Sequence, residues 1–141
     1  MRAELTGARR EDVSSYHRVL FGLDYAFRNT LTLSGELYYN GAGAADRRLY
    51  DFASLFEGGI QNVGRRYFGA HASYELTPVV KWNNYLVVNL ADRSSYFSPS
   101  LTYALQTNLD LTFGVQLLRG SEGSEYGRFN DAYYAQLQWF F

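Results

Sequence analysis

One short segment of the chain carries the three residue types of an acyl-transfer site. His71, Ser73 and Glu75 stand two residues apart in the stretch His71-Ala-Ser-Tyr-Glu75. A histidine that takes the proton from a serine hydroxyl, with a carboxylate to orient it, prepares that hydroxyl for attack on an ester. On a β-strand, however, residues two apart share a face at a separation of about 7 Å. This distance is too long for a direct hydrogen bond, so the segment predicts a polar strand face rather than a catalytic site.

Other kinds of chemistry have little support in the 141 residues. Cysteine is absent, which excludes disulfides and thiolate metal sites. The chain contains no GxxxxGK[ST], HExxH or EF-hand sequence, so nucleotide, zincin and calcium roles are not indicated. The net charge is −1 and no basic stripe is present, which argues against a nucleic-acid partner. We therefore predict no enzyme activity, no cofactor and no metal site.

The elements that carry these residues are predicted to be long β-strands. Apolar and polar residues alternate, which is typical of a strand with one apolar and one polar face. The pattern occupies seven segments, namely 17–27, 31–40, 65–76, 80–90, 95–105, 109–118 and 132–141. Most segments have about 10–12 residues, which matches a transmembrane β-strand of 9–11 residues better than a globular strand of about 5–6. In the fifth segment Pro99 lacks a backbone donor, so we expect weak pairing or a bulge there.

The connections between these segments alternate in length. Short turns are predicted at 28–30, 77–79 and 106–108, whereas longer connections cover 41–64 and 119–131, with the short loop 91–94 as the exception. Short periplasmic turns and long outer loops are typical of outer-membrane barrels. In the first long loop, Asp46 is predicted to cap a short helix that Gly58 ends, with Leu49, Phe52 and Phe56 on one face. This loop is expected either to fold inward as a constriction or to lie over the mouth.

Aromatic residues on the apolar face are concentrated near the predicted strand ends. They are Tyr25, Phe27, Tyr39, Phe68, Tyr74, Trp82, Phe97, Tyr103, Tyr133, Trp139 and Phe141. The middles of the segments are mainly aliphatic or small, for example Leu33, Leu86 and Leu111. Two aromatic belts around an aliphatic band fit rings that prefer the lipid headgroup level. We therefore predict that these aromatics lie at the two membrane interfaces and that the apolar face meets lipid.

The opposite face is predicted to line a polar lumen. Its candidate residues are Arg18, Asp24, Glu36, Arg65, His71, Ser73, Glu75, Lys81, Asp110, Gln136 and Gln138. Two interpretations of the charges remain open: cross-strand ion pairs that let charges lie inside the barrel, and an ion-selective constriction. Because the signs are mixed, neither an anion nor a cation preference follows.

The last ten residues carry the most specific pattern, with Tyr133, Leu137, Trp139 and Phe141 on one face. This spacing is similar to the assembly signal that the barrel-insertion machinery recognises in the final strand of outer-membrane proteins. Over about residues 16–141 the chain resembles bacterial outer-membrane β-barrel proteins of the porin-like kind, especially their C-terminal portions. The resemblance implies an outer-membrane location and contact with outer-membrane lipid. It also implies binding of the assembly machinery through the C-terminal strand, and a possible channel.

The predicted fold is all-β, an antiparallel meander of about seven to eight strands that forms a transmembrane β-barrel or a partial barrel. Residues 1–15 are predicted to be an outer loop with a possible strand stub at Met1–Thr6, and residues 16–141 the barrel strands. Single-chain bacterial barrels have an even number of strands, so seven strands suggest the C-terminal part of a larger barrel. The first ten residues lack the apolar stretch of a signal peptide.

Three functions follow, of which a porin-like passive channel or structural barrel wall is favoured. An outer-membrane lipid A deacylase-like hydrolase is the first alternative, because those enzymes look similar in using a histidine and a serine two residues apart. Strand parity, however, places His71 and Ser73 toward the lumen, away from a lipid substrate. A soluble small-ligand-binding β-barrel, with the apolar face inside, is the second alternative.

Overall fold

Eight β-strands form a single antiparallel sheet in which each strand pairs with the next along the chain. The computed structural model describes residues 2–10 and 13–141, with side chains from His17 onward. The strands are β1 (Arg2–Arg10), β2 (Val13–Ala26), β3 (Thr32–Asn40), β4 (Arg66–Thr77), β5 (Val80–Asn89), β6 (Ser95–Gln106), β7 (Leu109–Arg119) and β8 (Ala132–Trp139). The prediction of an all-β antiparallel meander is confirmed.

The N-terminal region differs from the sequence-based expectation of an outer loop with a strand stub. The described residues there form β1, which pairs with β2 from Arg2 opposite Gly22 to Arg10 opposite Val13. Strand β2 also begins at Val13, before the predicted segment. Strand β2 has 14 residues, so it offers enough backbone hydrogen-bond partners for the whole of β1. Residues 2–10 therefore form a strand although their own apolar–polar alternation is short. Met1, Glu11 and Asp12 lie outside the described residues.

The register keeps the apolar and polar faces of neighbouring strands aligned across the sheet. Leu37 lies opposite Phe68, Leu86 opposite Phe97, and Leu111 opposite Leu137, all on the apolar face. Because side chains alternate along each strand, every residue between them belongs to the polar face. A slip of one residue would exchange the faces, so the alternation and the observed register agree throughout β2–β8.

Within the described residues, no packing layer covers the apolar face. Leu23 and Leu37 are each 52% exposed and Leu137 is 63% exposed, whereas a core position would be almost fully covered. Leu33 is exposed, and Leu86 and Leu111 are half-buried. Among residues 17–141, the buried apolar side chains are Val63 and Tyr67 alone, and neither lies on the apolar face. The leucines of the sheet therefore do not meet in a closed interior.

The sheet is open at both edges. Within the described residues no pairing joins β1 to β8, so the expected barrel is not closed by this pair. Every residue of β8 is exposed. Each edge strand leaves a row of backbone donors and acceptors without partners in the sheet.

Pro99 interrupts the sheet locally, as its missing N–H predicts. Pairing between β6 and β7 runs through Phe97 opposite Leu117, skips Ser98 and Pro99, and resumes at Ser100 opposite Gly114. The register is the same on both sides of the gap, so the chain is weakly paired there rather than bulged.

Gly114 is a second special position, because Tyr134 of β8 lies directly opposite it and covers it. A Cβ added at Gly114 would fall on the ring of Tyr134. We expect Gly114→Ala to displace the ring, weaken the β7–β8 pairing and lower the free energy of unfolding by about 1–3 kcal/mol, the usual cost of overpacking. Chemical unfolding of the variant measures this change.

Gly35→Ala is the matched control for that substitution. Gly35 also lies within a strand, but a Cβ there meets nothing within 4 Å. Equal stability of the two variants would contradict the role assigned to the ring of Tyr134. Restoration of stability in Gly114→Ala/Tyr134→Leu would support it.

Candidate functional site

The polar face collects the residues that the sequence analysis assigned to a lumen. By register and alternation, one face contains Arg18, Asp24, Glu36, His71, Ser73, Glu75, Lys81, Asp110, Gln136 and Gln138. The eleventh residue, Arg65, precedes β4 and donates from Nε to the carbonyl oxygen of Gly43, 2.9 Å away. Arg65 therefore belongs to the loops rather than to the strand face.

Charges on this face are accommodated mainly by small or neutral neighbours. Glu36 lies between Gly22 and Gly69, and Asp110 lies opposite Gln138. Glu75 faces Lys81, but their side chains form no ion pair within 4 Å. In the part of the chain with described side chains, the ion pair Arg119–Asp131 lies at the loop end of the sheet. The hydrogen bond from Arg119 lowers the pKa of the Asp131 carboxyl.

His71 and Ser73 are not arranged as a base and a nucleophile. The imidazole of His71 stacks on the ring of Tyr85 with a centroid distance of 4.4 Å. Its Nε2 atom is buried without a hydrogen-bond partner, and Ser73 is only 7% exposed. No hydrogen bond joins the two side chains. A pocket of about 300 Å³ beside the stack is lined in part by Ser34 and Glu36. This arrangement offers polar and aromatic surface to a small solute.

All eleven aromatics assigned to the membrane interfaces lie on the apolar face or continue its strands. Tyr39, Phe68, Phe97 and Tyr133 lie toward the end with the long loops, and the others lie toward the end with the short turns. Several are largely exposed, including Tyr25, Tyr103 and Trp139. Phe27 follows β2 and packs edge-on against Tyr25 with a centroid distance of 4.6 Å.

The two long loops dock against each other at one end of the polar face. We call residues 41–65 and 120–131 together the loop cap. Arg47 Nη1 donates to Ser121 Oγ at 2.7 Å, and the guanidinium of Arg128 lies 3.9 Å from the ring centre of Phe52. Phe56 also meets Phe129 edge-on with a centroid distance of 6.3 Å. The loops are thus joined by a hydrogen bond, a cation–π contact and a ring contact.

The helix expected in the first loop is divided in two. Asp46 caps a 3₁₀ helix, Arg47–Leu49, by accepting a hydrogen bond from the Arg48 N–H. Asp51 caps a second helix, α1 (Phe52–Phe56), by accepting from the Ser54 N–H. Gly58 follows α1 with a φ of 76°, as expected of a glycine at a helix end. Leu49 belongs to the 3₁₀ helix, so it does not share a helix face with Phe52 and Phe56 of α1 as predicted.

Glu125 is the centre of the loop cap, and its side chain and backbone N–H together connect it to four parts of the chain. Its Oε2 atom accepts hydrogen bonds from the Tyr67 hydroxyl of β4 and from Asn89 Nδ2 of β5, each at 2.8 Å. Its Oε1 atom accepts from the Val63 N–H of the first loop at 3.3 Å. The Glu125 N–H donates to Asp92 Oδ2 in the β5–β6 turn at 2.8 Å. One loop residue therefore holds both loops onto the ends of the central strands.

These groups form the tightly packed part of the described chain. Glu125 is 4% exposed and Asn89 is 0% exposed, and the fully buried Ser94 and Ser124 lie beside them. The Tyr67 hydroxyl also accepts from the Gly64 N–H at 2.6 Å. A Cβ at Gly64 would overlap both Asn89 and Tyr67, so the network requires glycine there. The packed centre is polar and lies in the loops, not between the strands.

Burial raises the pKa of the Glu125 carboxyl above its ordinary value, and the nearby Asp92 carboxylate raises it further. The hydrogen bonds from Tyr67, Asn89 and Val63 oppose these effects. Burial likewise raises the pKa of the Tyr126 hydroxyl, with Glu125 as the second cause. No described cation pairs with Glu125. The low-dielectric setting therefore favours its neutral form.

The sequence analysis did not identify this network. Glu125 appeared only as part of a polar loop between the sixth and seventh predicted segments. The small residues near Glu125 in the sequence were a signal that could have indicated close packing there. Gly120 and Gly127 both allow close approach to Ser124. The partners of Glu125 come from four parts of the chain, all at least 33 residues away, and spacing alone does not reveal them.

Comparison of the chain with known protein families, with curated proteins and with solved structures found no match. No helix in the described part of the chain is both long and apolar enough to cross a membrane.

Proposed function

We propose that this chain forms the wall of a bacterial outer-membrane β-barrel, with its apolar face toward acyl chains and its polar face toward an aqueous lumen. The supporting observation is the uncovered apolar face of a wide antiparallel sheet. Removing one large apolar side chain from water is worth about 1.5–3 kcal/mol. A face of many such side chains without a protein layer over it therefore favours a lipid environment.

The arrangement of residues on the sheet supports the same environment. Aromatic rings near the strand ends match the headgroup level of a bilayer, and seven of the eight strands have 9–14 residues, enough to cross when tilted. The strand β8 carries the pattern resembling an assembly signal, so the barrel-insertion machinery is the proposed assembly partner.

The proposed activity is passive and porin-like. The polar face offers no arranged nucleophile, since His71 stacks on Tyr85 and forms no bond to Ser73. It offers instead mixed charges, amides and hydroxyls along a continuous wall. Steps of conductance in a planar bilayer would support solute passage, and a silent barrel would support a structural role with the loop cap as the outward surface.

The orientation of the two faces can be tested with single cysteines, because the chain has none of its own. Leu33 lies on the apolar face and Ser34, the next residue, on the polar face. A fluorophore on Leu33→Cys in phospholipid vesicles is expected to be quenched by spin-labelled lipid and protected from iodide. A fluorophore on Ser34→Cys is expected to show the opposite pattern.

Quenching of both positions by iodide alone would contradict the membrane proposal. Protection of Leu33→Cys in a monomer that stays soluble without detergent or lipid would favour the ligand-carrying barrel instead.

A further inference from the structure

We propose that the free edges of β1 and β8 pair with each other and close the sheet into an eight-stranded barrel, with Arg10 opposite Ala132 and Ala3 opposite Trp139. The inference rests on the proposed membrane function and specifies its architecture. The sheet supplies an even number of strands, as single-chain bacterial barrels have.

The stagger of the strands is the first observation. Directly opposite residues form one row that crosses the sheet from β1 to β7. The row consists of Arg2, Gly22, Glu36, Gly69, Val87, Tyr96 and Leu118. Arg2 lies at the short-turn end of β1, but Leu118 lies at the loop end of β7. The β7–β8 register continues this row to Asn130, two residues before β8 begins. Across the sheet the strands therefore slide steadily in one direction.

This slide leaves the two edges in a position that suits closure. In the proposed register Arg2 lies opposite position 140, whereas the observed row reaches position 130, so the offset around the barrel is about ten residues. Ten residues at about 3.3 Å, divided over eight strands about 4.8 Å apart, give a strand tilt of roughly 40°. Closed barrels have tilts of about 35–45°. An unstaggered sheet would give no tilt and could not close.

The faces and lengths of the two edge strands also agree. In this register Glu4 lies opposite Gln138, and both positions belong to the polar face of the sheet. All eight residues of β8 find partners within the nine residues of β1. Acyl chains offer no hydrogen-bond partners to unpaired backbone groups, so two complementary edges are strongly favoured to join.

Closure gives the proposed barrel a narrow lumen. The interior of an eight-stranded barrel is about wide enough for its own side chains. The inward tyrosines Tyr38, Tyr85, Tyr96 and Tyr134 would occupy much of it. Passage would be limited to water and small ions, and the loop cap would be the main surface offered to the exterior.

Disulfide trapping in the full chain tests the pairing. Directly opposite residues on paired strands have Cα atoms about 4.5–5.5 Å apart, which suits a disulfide. Glu4→Cys/Gln138→Cys is expected to form an intramolecular disulfide in vesicles, seen as a faster monomer band on a non-reducing gel. Asp110→Cys/Gln138→Cys, which joins the paired strands β7 and β8, is the positive control. Glu4→Cys/Tyr134→Cys, displaced by four residues, is the negative control.

The outcomes separate closure from the membrane proposal. Efficient trapping of Glu4→Cys/Gln138→Cys in the monomer, with little trapping of the displaced pair, supports closure. Disulfide-linked dimers would overturn it, because β8 would then pair with a second copy. Failure of the Glu4 pair while the Asp110 control cross-links would also overturn it and indicate further strands between the edges. The lipid quenching of Leu33→Cys is unaffected by either failure, so it tests the membrane proposal separately.

Discussion

Replacing Glu125 with alanine is expected to release the loop cap from the sheet. The change leaves the Tyr67 hydroxyl, the Asn89 amide and the Val63 N–H without their shared acceptor. An unpaired buried donor costs about 1–3 kcal/mol, so we expect a loss of about 3 kcal/mol in the free energy of opening the cap. Amide hydrogen exchange at Val63 and Gly64 should accelerate by roughly 100-fold.

Glu122→Ala is the matched control, because Glu122 is an exposed residue of the same loop. In Glu122→Ala the amide hydrogen-exchange rates at Val63 and Gly64 should equal those of the unsubstituted protein. Slow exchange in Glu125→Ala would contradict the central role of the Glu125 carboxyl group.

The pH dependence of the cap follows from the raised pKa of Glu125. A carboxyl whose pKa is higher in the closed cap than in the open one favours closure at low pH. That contribution is complete below the ordinary glutamate pKa and is lost as the pH rises through the raised value. The free energy of opening should therefore fall over this window. It should lose most of that dependence in Glu125→Gln, which cannot ionise.

The second large effect is expected for a charge on the apolar face. Val115 lies one residue from the middle of β7 and points to the apolar face, whereas Gln116 points to the polar face. In a membrane barrel, Val115→Arg should lower the free energy of unfolding by about 2–4 kcal/mol, the cost of arginine near the bilayer midplane. Gln116→Arg should change it by much less, because a residue on the proposed lumen face would remain in water.

Urea titration of both variants in phospholipid vesicles, followed by tryptophan fluorescence, provides the measurement. The comparison uses adjacent residues of one strand, so strand propensity and depth are nearly matched. Equal destabilisation by the two arginines would mean that both faces have the same solvent, and the lipid proposal would then fail.

The two predictions concern two differently packed regions of the protein, the exposed sheet and the buried loop cap. The sheet has solvent-accessible apolar side chains from β2 to β8, whereas the fully buried residues with described side chains cluster around Glu125. We infer that the strands depend on a lipid environment and that the loop cap depends on its own hydrogen bonds. Substitutions in one region are expected to leave the other largely intact.

Strand identity and facing could be predicted from the residues because alternation is a local property. The run Leu109, Leu111, Phe113, Val115 and Leu117 needs no distant partner to indicate which side of β7 is apolar. The strand over Arg2–Arg10 was underestimated because its alternation is short, and its pairing with β2 is a tertiary contact. The first loop was predicted as one helix because its second cap, Asp51, was not identified.

The amino-acid order by itself determined the all-β meander, the two faces and the positions of the turns, since each depends on neighbours two or three residues away. Only the tertiary structure decided the stagger of the strands, the open edges and the polar network around Glu125. Those features depend on hydrogen bonds between residues tens of positions apart. The register of the strands and the burial of the network depend on how several strands and loops pack together. No single segment of the sequence determines that packing.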